Sequence, residues 1–200
     1  MKNIQLLLVL LLCCVSITSI SFAQKMETFQ PAGTEIGVYY YPEHWPEDQW
    51  ERDLKRIAEL GFEFVHFAEF AWIDLEPEEG KYDFVWLDKV VDLAAQNDLK
   101  VIMCTPSPCL PSWLSTKHPE VLSVDENGRR IYHNGSRLTA SLADPIYQWY
   151  VEKIVRKLGE RYGKDERIWG WQIGNEPHIQ TVYDYSPSAE KAFRKWLKNK

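Results

Sequence analysis

The chain has 200 residues, a net charge of −6 at pH 7, nine Trp, ten Tyr and only four Cys. The acidity argues against nucleic-acid or anionic-membrane partners, which bind surfaces rich in Lys and Arg. Cys13 and Cys14 fall in an apolar N-terminal stretch, so Cys104 and Cys109 alone are left for the remainder; a disulfide-built scaffold is excluded, and one local bridge stays open.

Lys2 precedes the apolar residues 4–15, and Ser21-Phe22-Ala23 follows, the layout of a secretory signal peptide over residues 1–23. The apolar run is short and broken by Ser16, Thr18 and Ser19, which disfavours a membrane span; lipidation at Cys13 or Cys14 is a minor alternative. A secreted or periplasmic protein is therefore expected, with residues 24–200 as its folded part.

From there strand and helix patterns alternate, which favours βα units on a parallel sheet. Residues 36–41 read as the first strand. A helix starts near Pro46, carries Trp50, Leu54, Ile57 and Ala58 on one face and stops at Gly61. Residues 64–67 are the second strand, and 69–82 a loop rich in Glu and Pro. A helix over 85–96 turns Leu87, Val90, Val91 and Ala94 inward, and 100–104 form the third strand. The connection from Thr105 to Asp144 is long enough to be functional, with a helical turn at 113–117. A helix over 145–162, a strand over 168–173 and a helix over 188–198 complete four βα units. A closed barrel of eight needs about 250 residues, so four strands form either an open sheet or, as the exposed edge of such a sheet favours, the front half of something longer.

The run Trp169-Gly170-Trp171-Gln172-Ile173-Gly174-Asn175-Glu176-Pro177 carries the most information. It reads as a buried strand delivering Asn175 and Glu176 at its C-terminal end, the face on which parallel barrels build active sites. Capping of the following helix is the competing reading of the pair. The abundance of aromatic residues adds modest support, because exposed aromatic faces stack on sugar rings, although Trp also fills cores.

Six segments, in order, carry a resemblance: Tyr40-Tyr41-Pro42-Glu43-His44-Trp45-Pro46; Glu69-Phe70-Ala71-Trp72; Leu75 through Phe84; Trp86-Leu87-Asp88; Thr105-Pro106 with Pro111-Ser112-Trp113-Leu114; and Trp171 through Glu176. Together they closely resemble the N-terminal part of the glycoside hydrolase family 42 β-galactosidases. The resemblance implies an α/β fold, a (β/α)8 TIM barrel of which this chain supplies about the first four units. It also implies hydrolysis of terminal non-reducing β-D-galactosyl residues with retention of configuration, and a β-galactoside as substrate.

Carried over onto this chain, Glu176 corresponds to the family's general acid/base and Asn175 to the residue contacting the sugar 2-hydroxyl. Retaining glycosidases need one carboxyl group to protonate the leaving oxygen and a second, about 5 Å away, to attack the sugar. The resemblance puts that nucleophile after the seventh strand, beyond residue 200. Trp169, Trp171 and Ile173 are expected to give Glu176 the apolar setting that holds an acid protonated. Glu69 is expected to line the site or to be a plain loop residue. His44 and Trp45 fall on the active-site side, and Arg137 is the nearest match to a sugar-binding Arg, with a surface Arg as its other reading. Many relatives bind structural zinc through cysteines where this chain has Ser141, Asp184, Ser186 and Ala189. That set lacks the soft or imidazole ligands zinc requires, so no metal and no cofactor is expected. Trimers occur in the resembled family, which leaves a homo-oligomer open. The competing functions are another retaining β-glycosidase of the same clan, and an inactive carbohydrate-binding half-barrel without the nucleophile.

Overall fold

The computed structural model describes residues 33–132, 137–176 and 183–200. Residues 1–23, expected as a signal peptide, lie outside the described residues. Residues from Thr34 onward form one compact unit.

Four parallel strands, β1 (Gly37–Tyr39), β2 (Phe64–Phe67), β3 (Lys100–Cys104) and β4 (Ile168–Gln172), lie in the order β1-β2-β3-β4. Sequential parallel neighbours require a helical crossover between each pair. The crossovers are α1 (Glu47–Glu59), α2 (Trp72–Leu75) with α3 (Val85–Gln96), and α4 (Ser112–Lys117) with α5 (Pro145–Tyr162). The chain then continues into α6 (Pro187–Lys198).

The alternation of a strand decides which face is buried. Val65, Phe67, Val101 and Met103 are fully covered and pack with Leu54 of α1, Val90, Val91 and Ala94 of α3, and Ile154 and Leu158 of α5. Phe64, His66 and Ile102 take the other face, the side that becomes the interior of a barrel. The sheet is closest-packed at Gly37: a Cβ there would sit 2.0 Å from the Phe64 ring, so β1 needs a glycine to let that ring cross it.

Most predicted elements stand where the sequence puts them, and the first and fourth strands are shorter than expected. The short helix α2 stands where the sequence reads as loop. Asp144 caps α5 through its Oδ1, which accepts from the Ile146 and Tyr147 amides at 2.9 and 3.1 Å, while Pro145 fills the first helical position, where its missing N–H costs nothing. Both Cys104 and Cys109 are free thiols. Among the described residues no helix is long and apolar enough to cross a membrane.

Candidate active site

The site begins where β4 ends. A register shift between Val101 and Ile102 makes Ile102 pair with Gly170 and Cys104 with Gln172, leaving Trp169 as an extra residue on β4. That bulge sets the phase of everything downstream: Trp171 packs against the helix-side core and Gln172 points the opposite way. Gly174 then turns with a positive φ of 70°, its amide donating to Thr105 Oγ1 at 2.7 Å, and presents Asn175 and Glu176.

Glu176 faces Arg137, guanidinium to carboxylate 3.5 Å, both half exposed. Arg137 also lies over the Phe70 ring at 5.8 Å. Phe70 stacks on Tyr41 (5.7 Å, 11° between planes), and Tyr41 stacks on His44 (5.4 Å). Four chain segments far apart in sequence thus meet in one continuous row. The Asn175 side-chain nitrogen is buried without a hydrogen-bond partner among the described residues. A buried amide donor left unmade costs free energy that a ligand acceptor recovers.

Glu69, in the turn after β2, is buried, 4% exposed. The Tyr41 hydroxyl donates to its Oε2 at 2.8 Å and Gln172 Nε2 to its Oε1 at 3.0 Å. Burial and this hydrogen bond raise the Tyr41 phenol well above its usual value, so it remains a donor. Two non-glycine residues with left-handed backbone adjoin the site: Ala68 (φ 70°) before Glu69 and Leu138 (φ 62°) after Arg137. Such conformations cost about 1 kcal/mol or more each and cluster at functional sites.

The sequence-predicted residues divide. Glu176, Arg137, Asn175, Glu69 and His44 belong to the row or to the strand end beside it. Trp45, half exposed, lines a separate cleft with Trp50, Trp86, Glu43 and Asp74. The apolar setting expected around Glu176 is not built by the residues named for it. Trp169 lies at the start of β4 against Phe64 (5.5 Å), Trp171 turns to the core, and Ile173 is 79% exposed. The bulge and the end of the strand before Ile173 cause this. Tyr41, Phe70, His66 and Gln172 went unrecognised as site residues, although Tyr41, Phe70 and Gln172 stand inside the motif segments.

At the positions where relatives carry zinc-binding cysteines, the polar atoms are engaged with one another. Ser141 Oγ lies 2.9 Å from Ser186 Oγ, and Ser186 Oγ is 3.0 Å from Asp184 Oδ2. Among the described residues no group of three or more His, Cys, Asp or Glu could hold a metal ion.

A strand-end carboxylate paired with an arginine, beside an amide and a row of aromatic rings on a parallel βα sheet, defines the class: the C-terminal strand face of a partial (β/α)8 barrel. The particular family follows from comparison. The family model for β-galactosidase, glycoside hydrolase family 42, matches residues 39–200, and the chain belongs to that family. It is 42% identical over 163 residues to a β-galactosidase of Thermus thermophilus, covering 81% of this chain and 25% of the relative. BgaA, a β-galactosidase of a Thermus species, is 43% identical over 164 residues. Among solved structures, the β-galactosidase of the Antarctic haloarchaeon Halorubrum lacusprofundi superposes with a TM-score of 0.79 at 38% identity, covering 83% of this chain and 25% of that one. Gan42B, a family 42 β-galactosidase, gives 0.73 at 35%, covering 82% and 24%. The chain spans about a quarter of the length of the curated relatives it matches. Its α/β fold is that of the first four units of the barrel.

Proposed function

We propose that this chain is the acid/base-bearing part of a retaining β-galactosidase that cleaves terminal non-reducing β-D-galactosyl residues. The observation that carries the reading is Glu176 in the turn after β4, 3.5 Å from Arg137 and next to Asn175, whose side-chain nitrogen is buried without a hydrogen-bond partner among the described residues, in a chain of family 42. In this reading Glu176 protonates the departing glycosidic oxygen and later takes a proton from water. Asn175 donates to the sugar 2-hydroxyl, a bond that strengthens as the ring gains oxocarbenium character. Arg137 and the Phe70–Tyr41 row border the sugar, and Glu69 accepts hydrogen bonds behind it. The attacking carboxylate comes from a later unit of the barrel. Proton NMR of the galactose first released from an aryl β-D-galactoside by the whole enzyme tests this: the β-anomer is expected, and initial α-galactose, or no cleavage of galactosides alongside cleavage of glucosides, overturns it.

The same proposal includes export, supported by Lys2, the apolar residues 4–15 and the small residues ahead of Gln24. N-terminal sequencing of the exported protein is expected to begin at Gln24; an intact N-terminus contradicts it.

A further inference from the structure

Gln172, the last residue of β4, makes four side-chain hydrogen bonds, one for each donor and lone pair its amide possesses. Tyr39 Oη donates to Oε1 at 2.7 Å, and His66 Nδ1 lies 3.0 Å from the same oxygen. The Nε2 group donates to Glu69 Oε1 at 3.0 Å and to the Gly174 carbonyl at 3.1 Å. The amide can stand only one way round. Reversed, its oxygen would face a carboxylate and a carbonyl, two acceptors with no hydrogen between them. Oε1 therefore faces His66, and Nδ1 of His66 must carry the proton. Burial lowers the basicity of His66, so the ring is neutral near pH 7 and Nε2 holds the lone pair. Cys104 Sγ, 3.7 Å from the same Nδ1, is a weak competitor: burial keeps its thiol protonated, its pKa pushed up to about 12.

We propose that Gln172 is the positioning residue of this site: it locks His66 as the Nδ1–H tautomer and ties Glu69 to the turn that carries Asn175 and Glu176. The proposal deepens the galactosidase reading and rests on it only for the identity of what is positioned. Each bond joins a different part of the fold. Tyr39 belongs to β1, His66 to β2, Glu69 to the loop after β2, and Gly174 to the turn after β4. One side chain thus fixes the relative placement of segments 103 residues apart. The tautomer is diagnostic, because an unconstrained neutral histidine prefers its proton on Nε2.

The test is a long-range proton–nitrogen correlation spectrum of the full chain at pH 7, with His66 assigned from its loss in His66→Asn. The wild-type ring is expected as Nδ1–H. In Gln172→Leu the proton moves predominantly to Nε2, and the Gly174, Asn175 and Glu176 amide signals shift. Gln172→Glu keeps an acceptor for Nδ1 and so keeps the tautomer, while its repulsion of Glu69 still shifts those amides. A wild-type Nε2–H ring overturns the proposal, as does Nδ1–H retained in a Gln172→Leu chain whose near-ultraviolet circular dichroism is native. Unmoved amide signals at Asn175 and Glu176 in both variants remove the positioning role. Should Gln172→Leu fail to fold, the wild-type ring and Gln172→Glu decide. None of these readouts needs turnover, so their failure is distinct from failure of the galactosidase reading.

Discussion

Glu43 shows how far one side chain can stand from its solution chemistry. Both carboxylate oxygens are buried and meet no donor from another described residue, and burial pushes the group from 4.5 up to about 7. The neighbouring Asp74 carboxyl is raised as well, again chiefly by burial. A carboxyl whose folded pKa lies above its unfolded value contributes stability that is fully present below about 4.5 and is lost as the pH rises through about 7, because the unfolded chain releases the proton first. Glu43→Gln removes the ionisation while keeping the shape. Denaturant titrations are expected to show the variant more stable than wild type by on the order of 2 kcal/mol at pH 8, with the difference shrinking to nothing below pH 4.5. A difference independent of pH would mean that Glu43 is ionised in the folded protein. Such a residue has no sequence signature. Glu43 stands in the Tyr40–Pro46 motif beside exposed His44 and Trp45, and only the packing of Pro42, Trp50 and Asp74 around it makes it unusual.

At the level of elements, α6 is held by its first turn. Ser186 caps it, its Oγ accepting from the Ala189 amide at 3.2 Å while also bonded to Asp184 and Ser141, and Ser188 Oγ donates to the Asp144 carboxylate that caps α5 at 2.6 Å. Ser141 and Ser186 are fully buried, and α6 itself buries no residue. Ser186→Ala is expected to cost about 1–3 kcal/mol and to speed amide exchange in α6 before any other helix; unchanged exchange there would show that the helix is held elsewhere. The elements themselves were largely legible, because amphipathic periodicity over 85–96 and the Asp144-Pro145 start signal are local. The helix Trp72–Leu75 is not legible in the sequence, because one turn carries too little periodicity to stand out from a loop rich in Glu and Pro. The β4 bulge was missed because it is a property of pairing with β3, and it took the expected apolar wall of Glu176 with it. The strand-end placement of Asn175 and Glu176 was legible from the apolar and aromatic run before them, although that run is not the buried strand it reads as, since β4 has no fully buried residue; the bond between Gln172 and Glu69 depends on residues that only folding brings together.

For the whole molecule, the sheet order gives β1 and β4 one strand neighbour each among the described residues, and α6 exposes Phe193, Trp196 and Leu197. In a closed barrel every strand has two neighbours and the outer helices cover one another, so these surfaces are where later units fit in the proposed enzyme. The polar face of the sheet, with His66, Gln172 and Glu69 bonded across it, then becomes the floor of a sugar site. The most direct test of that account compares hydrolysis of aryl β-D-galactosides of graded leaving-group acidity by the whole enzyme and its Glu176→Gln variant. Protonation of the leaving oxygen matters only when that oxygen is a poor leaving group. The first, galactosyl-transfer step is predicted to survive in the variant for the most acidic phenols and to fall by about 10²–10⁴-fold for the least acidic. A loss that is the same for every phenol, or no loss at all, would contradict Glu176 as the general acid.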